Sequence, residues 1–429
     1  MGKIALHWRI ILGIVVGVIL GVTLIQFSWG GQFITDWIKP FGTIFINLLK
    51  LIAIPLIIVS LVKGVTDLKD ITQLSSMGLK TFAIYLMTTV FAISIGLIIV
   101  NTIKPGTFIS ENTRTEMLAS FGGDVDDKVV KASSVNDRGP LQALVDVVPE
   151  NLIFSASDNG NMLQIIFFTI LFGVAMLMLP DTKTEVLKRV FEAGNDVILK
   201  IVDIIMLAAP YGVMALIASL IAESPSVDIF KALAAYSLTV ILGLAIVTFG
   251  IYAAMLKFFG GVNLISFYKN LSPAQLVAFS TSSSAATLPV TMECVEERIG
   301  VHKEVSSFVL PIGATVNMDG TSLYQGVAAV FIAQVFGLDL TLGQQLTILL
   351  TATLASIGSA AVPGAGVLML VIVLESIGVN PAGIALIFAV DRPLDMLRTV
   401  TNVTGDATVA VLINKITGKD LRPVVAENE

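Results

Sequence analysis

The chain has 429 residues, 55% of them hydrophobic and only 14% charged, with a mean hydropathy of +0.89. A soluble globular protein carries about 25% charge, so this composition excludes that class and predicts an all-α polytopic membrane protein. A net charge of −6 and a pI near 5.1 argue against a nucleic-acid partner, which needs clustered basic surface.

The single cysteine, Cys294, forms no intrachain disulfide and reads as a small structural hydrophobe. His7 and His302 lie too far apart for a local metal motif, and no GxxxxGK[ST] loop suggests ATP hydrolysis.

A spanning helix needs about 20 mostly apolar residues. Lys3 and Arg9 precede an apolar run that ends near Phe27 and lacks a small-residue cleavage site, so it reads as a first membrane helix rather than a signal peptide. Residues 32 to 68 predict a long, tilted second helix that tolerates Lys39 and Lys50. Further charge-free stretches lie between Lys80 and Lys104, Asp158 and Asp181, Asp203 and Glu223, and Lys231 and Lys257. The segment 105–139 is polar and is expected to be an extracytoplasmic loop.

The last 170 residues differ. Lys269 to Glu293 and Asp339 to Glu375 are free of charge but interrupted by Ser, Gly and Pro. Between and after them come helices carrying Asp319, Asp391, Arg392, Asp395, Arg398 and Asp406, which do not suit a lipid-facing surface. Basic clusters at Lys63, Lys69 and Lys80, at Lys183, Lys188 and Arg189, at Lys257 and Lys269, and at Lys415, Lys419 and Arg422 mark the cytoplasmic side. Both termini are then expected to be cytoplasmic.

An internal repeat is the most informative pattern. SAATLP at 284–289 and SAAVP at 359–363 are small-residue tips inside apolar stretches. Each is followed by an Asn-x-x-Gly string, NMDGT at 317–321 and NVTGD at 402–406, at which the helix is expected to break. Broken backbone at membrane depth is tolerated where it is buried in protein or lines a cavity. Two such breaks in two halves point to a transporter binding site between re-entrant hairpins; chance similarity of a few small residues is the competing explanation.

The string DRPLDMLRTVTNVTGD, 391–406, concentrates the chemistry. Asp391, Asp395, Arg398 and Asn402 follow spacings of four, three and four, which put them on one helix face, with Asp406 more loosely aligned. A purely structural ion-pair network is the bland alternative, above all for the neighbours Asp391 and Arg392. Asp319 and Asp406, each beside Asn and Gly, offer all-oxygen surroundings that suit a weakly held monovalent cation. Arg398 presents a planar fork for a carboxylate, and Asp395 an acceptor for an ammonium. One ammonium and two carboxylates describe an acidic amino acid.

GATVNMDGT, ASIGSAAVPGAG and DRPLDMLRTVTNVTGD, in this order, together with IKPG at 103–106 and LPVTM at 288–292, resemble the glutamate/aspartate:cation symporter family over nearly the whole chain. The resemblance implies a homotrimer in the cell (inner) membrane, in contact with lipid, each protomer having eight transmembrane helices and two re-entrant hairpins built as inverted repeats. It implies scaffold helices one and two over 1–76, a third helix of the transport domain over 77–104, the loop 105–139, and scaffold helices four and five over 140–226. The rest of the transport domain would span 227–418, holding helix six, the first hairpin, helix seven, the second hairpin and helix eight, before a cytoplasmic tail at 419–429. The transport domain is expected to move like an elevator.

Carried over by motif, the resemblance puts substrate on Ser283 and Ser284 of the first hairpin and on Thr321. It adds Val362, Pro363, Ala365 and Gly366 of the second hairpin, and Asp395, Arg398, Thr399 and Asn402 of the last helix. It puts one sodium ion on Asp406 with carbonyls of Gly313, Asn317 and Asn402, and a second on Thr315 with carbonyls of Ser356, Ile357 and Ser359. A third would use Asp319 and Asn317 with Tyr85, Thr88 and Thr89 of YLMTT. Alone, YLMTT is weak, because threonines inside helices usually bond back to their own carbonyls.

The departures are informative. Some relatives carry an arginine where this chain has Ser282, whereas here Arg392 lies in the last helix, which would either move the guanidinium that partners the site carboxylates or change coupling to a counter-transported ion. Ala285 stands where many relatives have serine. Proton-coupled relatives tend to have Asn where this chain has Asp406, dicarboxylate carriers lack Asp395 and neutral amino acid carriers lack Arg398, so the resemblance implies sodium and an acidic amino acid. Asn402-Val403-Thr404 fits a glycosylation sequon but lies at membrane depth, and the 14 methionines read as packing.

The leading expectation is therefore sodium-coupled uptake of aspartate or glutamate, with proton coupling as the alternative. A membrane enzyme is disfavoured by the lack of a His cluster or a Ser/His or Ser/Lys pair at depth; a passive channel would not concentrate its substrate.

Overall fold

A computed structural model of the chain describes residues 6–73, 76–111, 113–115, 148–157, 161–223, 227–357 and 364–422. Among them the chain is helical, with no strand. The apex at 359–363 and most of the polar segment 105–139 lie outside the described residues. Four helical segments, Gly30–Thr66, Met77–Phe108, Asp181–Ser219 and Asp228–Gly260, are long and apolar enough to cross a membrane by length and composition.

The first helix, α1 (Leu6–Leu24), lies along α5 (Asp181–Glu223). Gly13, Gly17 and Gly21 recur every fourth residue on the contact face. A Cβ on Gly17 would fall 2.6 Å from the Met214 carbonyl oxygen, and one on Gly21 would fall 2.8 Å from Ile221 Cβ. Small residues at this spacing let backbones approach where lipid supplies no hydrophobic drive.

The next helices are α2 (Lys39–Gln73), α3 (Ser76–Ile103) and α4 (Met162–Met178). Both α4 and α5 pack on α2. The charged run expected after the fourth span forms the first turns of the 43-residue α5, where Arg189 pairs with Glu185 at 2.6 Å. Lys50, tolerated within α2, reaches Glu375 at 4.0 Å.

Helix α6 (Val227–Ala245) continues through π-helical turns at Ile246–Ile251 and Leu256–Gly260 that flank the α-helical turn Tyr252–Met255. Helices α7 (Leu264–Thr281) and α8 (Ser284–Glu293) form a hairpin. The chain reverses at Ser282, whose φ of 52° is left-handed, and the Ser283 hydroxyl caps α8 by accepting the Ala286 N–H. The reversal falls just before SAATLP, which forms the first turns of α8.

Helices α9 (Lys303–Val316) and α10 (Asp319–Val335) are separated at Asn317 and Met318, as NMDGT predicts. Then come α11 (Leu342–Ile357), α12 (Ala365–Ser376) and α13 (Ile384–Ile416). Helix α10 is buried on all sides, as an all-round core helix must be. It packs against α3, α12 and α13, while α7 and α9 pack on α13.

The second expected break is absent: α13 runs for 33 residues through NVTGD without interruption. Gly405 there serves close packing. A Cβ on it would lie 2.6 Å from the Tyr252 hydroxyl and 2.8 Å from Asn317 Nδ2. Of these two strings, NMDGT alone interrupts its helix.

Candidate functional site

One face of α13 carries Asp391, Asp395, Arg398 and Asn402, as the four-three-four spacing dictates. Arg398 is 0% exposed. Its Nη2 donates to Asp395 Oδ1 at 2.7 Å, its Nη1 lies 3.2 Å from Asp391 Oδ1, and its Cζ stands 3.7 Å above the centre of the Tyr324 ring. Stacking of this desolvated kind contributes about 2 kcal/mol. Arg392 Nη1 approaches the other oxygen of Asp395 at 3.2 Å. Asp391 and Arg392 each pair with a residue further along the helix. Two aspartates and two arginines balance, and in this respect the cluster is an ion-pair network.

The network leaves donors over. Arg398 Nε has no hydrogen-bond partner among the described residues, and Nη1, in ion-pair range of Asp391, makes no aligned hydrogen bond. Buried donors of this kind need an acceptor. Around them stand Gly366, where a Cβ would lie 3.2 Å from both Arg398 Nη1 and Thr321 Cγ2, and the Gly364 N–H, which donates to Asp395 Oδ2 at 3.3 Å. Asn402 Nδ2 reaches Thr321 Oγ1 at 3.3 Å, and Asn402 Oδ1 accepts the Gly320 N–H at 2.8 Å. The Thr399 hydroxyl bonds back to the Asp395 carbonyl at 2.9 Å. Thr321, Gly366, Asp395, Arg398 and Asn402 therefore meet. Ser284 is buried at the start of α8, in the hairpin that Gln275 ties to Thr404 of α13 at 2.9 Å. Ala365 begins α12; Val362 and Pro363 lie outside the described residues.

A second cluster forms at the gap between α9 and α10. Asp319 is 0% exposed and Asp406 3% exposed. Asp319 Oδ1 accepts the Thr89 hydroxyl at 2.6 Å, and Asp406 Oδ1 accepts Asn317 Nδ2 at 2.9 Å. Thr88 Oγ1 lies 3.4 Å from Asn317 Oδ1. Gly313 leaves room for both the Asp406 carboxylate and the Tyr85 hydroxyl, which donates to the Val309 carbonyl at 3.0 Å. The Gly313 carbonyl accepts the Asn317 N–H at 2.9 Å and retains a second lone pair. Neither carboxylate pairs with an arginine or lysine among the described residues. Two desolvated carboxylates amid neutral oxygens are surroundings that suit a hard monovalent cation.

The remaining positions are less gathered. Ser356 helps line a crevice with Tyr85, Thr89, Val316 and Thr353. Thr315 is exposed, with its hydroxyl 3.1 Å from the Ile312 carbonyl. Ile357 ends α11, and Ser359 lies outside the described residues. Two participants were not anticipated. Tyr324 underlies Arg398, and Tyr252 donates its hydroxyl to Asp319 Oδ2 at 2.6 Å. Their one sequence signal is a polar aromatic ring inside an apolar run, which usually means packing.

The family model described as "Sodium:dicarboxylate symporter family" matches residues 6–416. The chain belongs to this family. As a symporter it is a secondary transporter and not an enzyme. It is 33% identical over 419 residues to the proton/sodium-glutamate symport protein of Geobacillus stearothermophilus, covering 98% of this chain and 96% of that one. It is 36% identical over 462 residues to excitatory amino acid transporter 3 of Mus musculus, covering 99% and 88%. With the proton/glutamate-aspartate symporter of Escherichia coli (strain K12) it shares 35% over 417 residues, covering 96% and 93%.

Proposed function

We propose that this symporter takes up L-aspartate or L-glutamate by coupling to sodium, several ions moving with each substrate. The observation that carries the reading is the fully buried Arg398, whose Nε has no hydrogen-bond partner among the described residues and whose Nη1 has only its ion-pair contact with Asp391, beside Asp395 on the same face. The side-chain carboxylate of the substrate would take these donors, while its ammonium joins Asp395. Thr321, Gly366 and Asn402 would line the remainder, with Ser283, Ser284, Val362, Pro363, Ala365 and Thr399 completing the pocket.

The cation reading rests on Asp319 and Asp406. Each is a desolvated carboxylate with neutral donors only, and cation binding would offset what such burial costs. Asp406 with Gly313, Asn317 and Asn402, and Asp319 with Tyr85, Thr88, Thr89 and Asn317, are the sites we assign. Thr315, Ser356, Ile357 and Ser359 form a third. The wider architecture we propose is a homotrimer in the cell inner membrane with cytoplasmic termini. Each protomer has eight spans and two re-entrant hairpins, and a transport domain slides against a scaffold of helices one, two, four and five.

Uptake of labelled aspartate and glutamate into proteoliposomes under an inward sodium gradient tests the reading. Accumulation should collapse when choline replaces sodium. One relative named for proton and sodium together and another named for proton alone keep proton coupling as the second reading; accumulation driven by a proton gradient without sodium would establish it instead.

A further inference from the structure

Tyr252 stands at the junction of the two cation carboxylates, and neither family motif nor helix periodicity pointed to it. It is fully buried. The π-helical turns before and after it fix its aim, and such turns gather at functional positions. The same segment is tied to its neighbours by the Tyr268 hydroxyl on the Thr248 carbonyl and by Thr248 Oγ1, 3.1 Å from Thr401 Oγ1. The phenol donates to Asp319 Oδ2 at 2.6 Å, while Thr89 holds the other carboxylate oxygen. Beyond it lies the Cα of Gly405, where a side chain would strike both this hydroxyl and the Asn317 amide that holds Asp406.

The two hydroxyls on Asp319 are not equivalent. A threonine hydroxyl rotates freely and can turn a lone pair toward a cation. The tyrosine hydroxyl swings in the plane of a packed ring, and a phenol is the more acidic and hence the stronger donor to a carboxylate. Its hydrogen bond is worth most when the carboxylate carries its full charge, and less once a cation shares that charge.

Building on the sodium reading, we propose that Tyr252 is a positioning residue that compensates Asp319 while the cation is absent, thereby limiting sodium affinity so that the ion can leave. Deleting the hydroxyl penalises the ion-free state more than the ion-bound state. Sodium should therefore bind more tightly, against the ordinary expectation for damage near a binding site.

The test uses the purified full-length protein and follows the sodium concentration for half-maximal L-aspartate binding, together with the sodium-induced rise in melting temperature without substrate. Tyr252→Phe should lower the half-saturating sodium concentration by a factor of about ten. Thr89→Val, which removes a proposed cation ligand, should raise it. 3-Fluorotyrosine incorporated at position 252 keeps the shape and strengthens the donor, so it should also raise it; this arm carries the test should Tyr252→Phe not fold. Structural damage would move every variant toward weaker sodium. A Tyr252→Phe curve that overlays the wild type or shifts to higher sodium overturns the proposal, as does an unchanged fluorotyrosine curve. Wild-type binding that ignores sodium overturns the sodium reading along with it, whereas a sodium-dependent wild type with an unmoved variant overturns this inference alone.

Discussion

Asp395 accepts a hydrogen bond at 2.7 Å from Arg398, one helical turn further along α13, and the arginine has no contact with solvent. The pair is a structural tie, and in the reading proposed above it is also the polar centre of the substrate site. Substrate binding at such a place is an exchange of partners. On that reading the incoming carboxylate would take guanidinium donors already present, and the incoming ammonium would share a carboxylate already charged.

Arg398→Cys removes the guanidinium and leaves Asp391 and Asp395 to the single cation Arg392. Breaking a buried pair costs about 3 to 5 kcal/mol, which corresponds to a loss in affinity of at least about a hundredfold. Aspartate and glutamate binding should disappear from calorimetry, and a neutral amino acid should compete better than before. Unchanged acidic amino acid affinity would remove Arg398 from the site.

Asp395→Asn separates the two ends of the substrate. It leaves Arg392 and Arg398 with less negative charge nearby, which favours a dianion, but removes the acceptor for an ammonium. Aspartate should lose at least about tenfold in Kd, as for a charged hydrogen bond, while succinate should hold its affinity or gain. Equal losses for both ligands in parallel competition assays would make Asp395 a structural residue only.

The sequence spacing in DRPLDMLRTVTN was enough to find this face, because a helix places residues three and four apart on one side. The same geometry explains why Asp391 and Arg392 do not pair with each other. Adjacent residues point about 100° apart around a helix, so each finds its partner a turn or more away. NMDGT and NVTGD look alike as strings, yet one breaks its helix and the other does not. Gly405 is small because Tyr252, more than 150 residues earlier, presses against it, and no local pattern carries that information. YLMTT was weak as a motif, but its three polar side chains do gather around Gly313, Asn317 and Asp319.

Gly405→Ala tests the close-packing role. Its Cβ would lie 2.6 Å from the Tyr252 hydroxyl and 2.8 Å from Asn317 Nδ2, so both side chains must move. Overpacking of this sort costs about 1 to 3 kcal/mol, and here the displaced amide is the one that holds Asp406. The melting temperature should fall and, more tellingly, the stabilisation that sodium confers should shrink. Gly250→Ala, where the nearest neighbour is Ile246 Cγ2 at 3.8 Å, serves as the control. A normal sodium-induced stabilisation in Gly405→Ala would show that this contact has no bearing on the cation site.

Asp406→Asn addresses coupling itself. Asn317 lies within the second cluster, bonding Asp406 through Nδ2 and facing Thr88 through Oδ1, and it leads directly into the turn that presents Asp319 and Thr321. A cation that pulls Asp406 and Asn317 together therefore also sets Thr321 and, through Gly320, the amide of Asn402 on the substrate face. Binding free energies are reciprocal, so sodium must raise substrate affinity by the factor by which substrate raises sodium affinity. With several ions bound, the apparent Kd for aspartate should fall more steeply than linearly as sodium increases. Asp406→Asn neutralises one carboxylate while keeping its shape, and one fewer sodium ion should be bound with the substrate. A plot of log Kd against log sodium concentration, with choline holding ionic strength constant, should lose about one unit of slope. An unchanged slope in the variant would place that ion elsewhere, and a wild-type slope of zero would refute sodium coupling altogether.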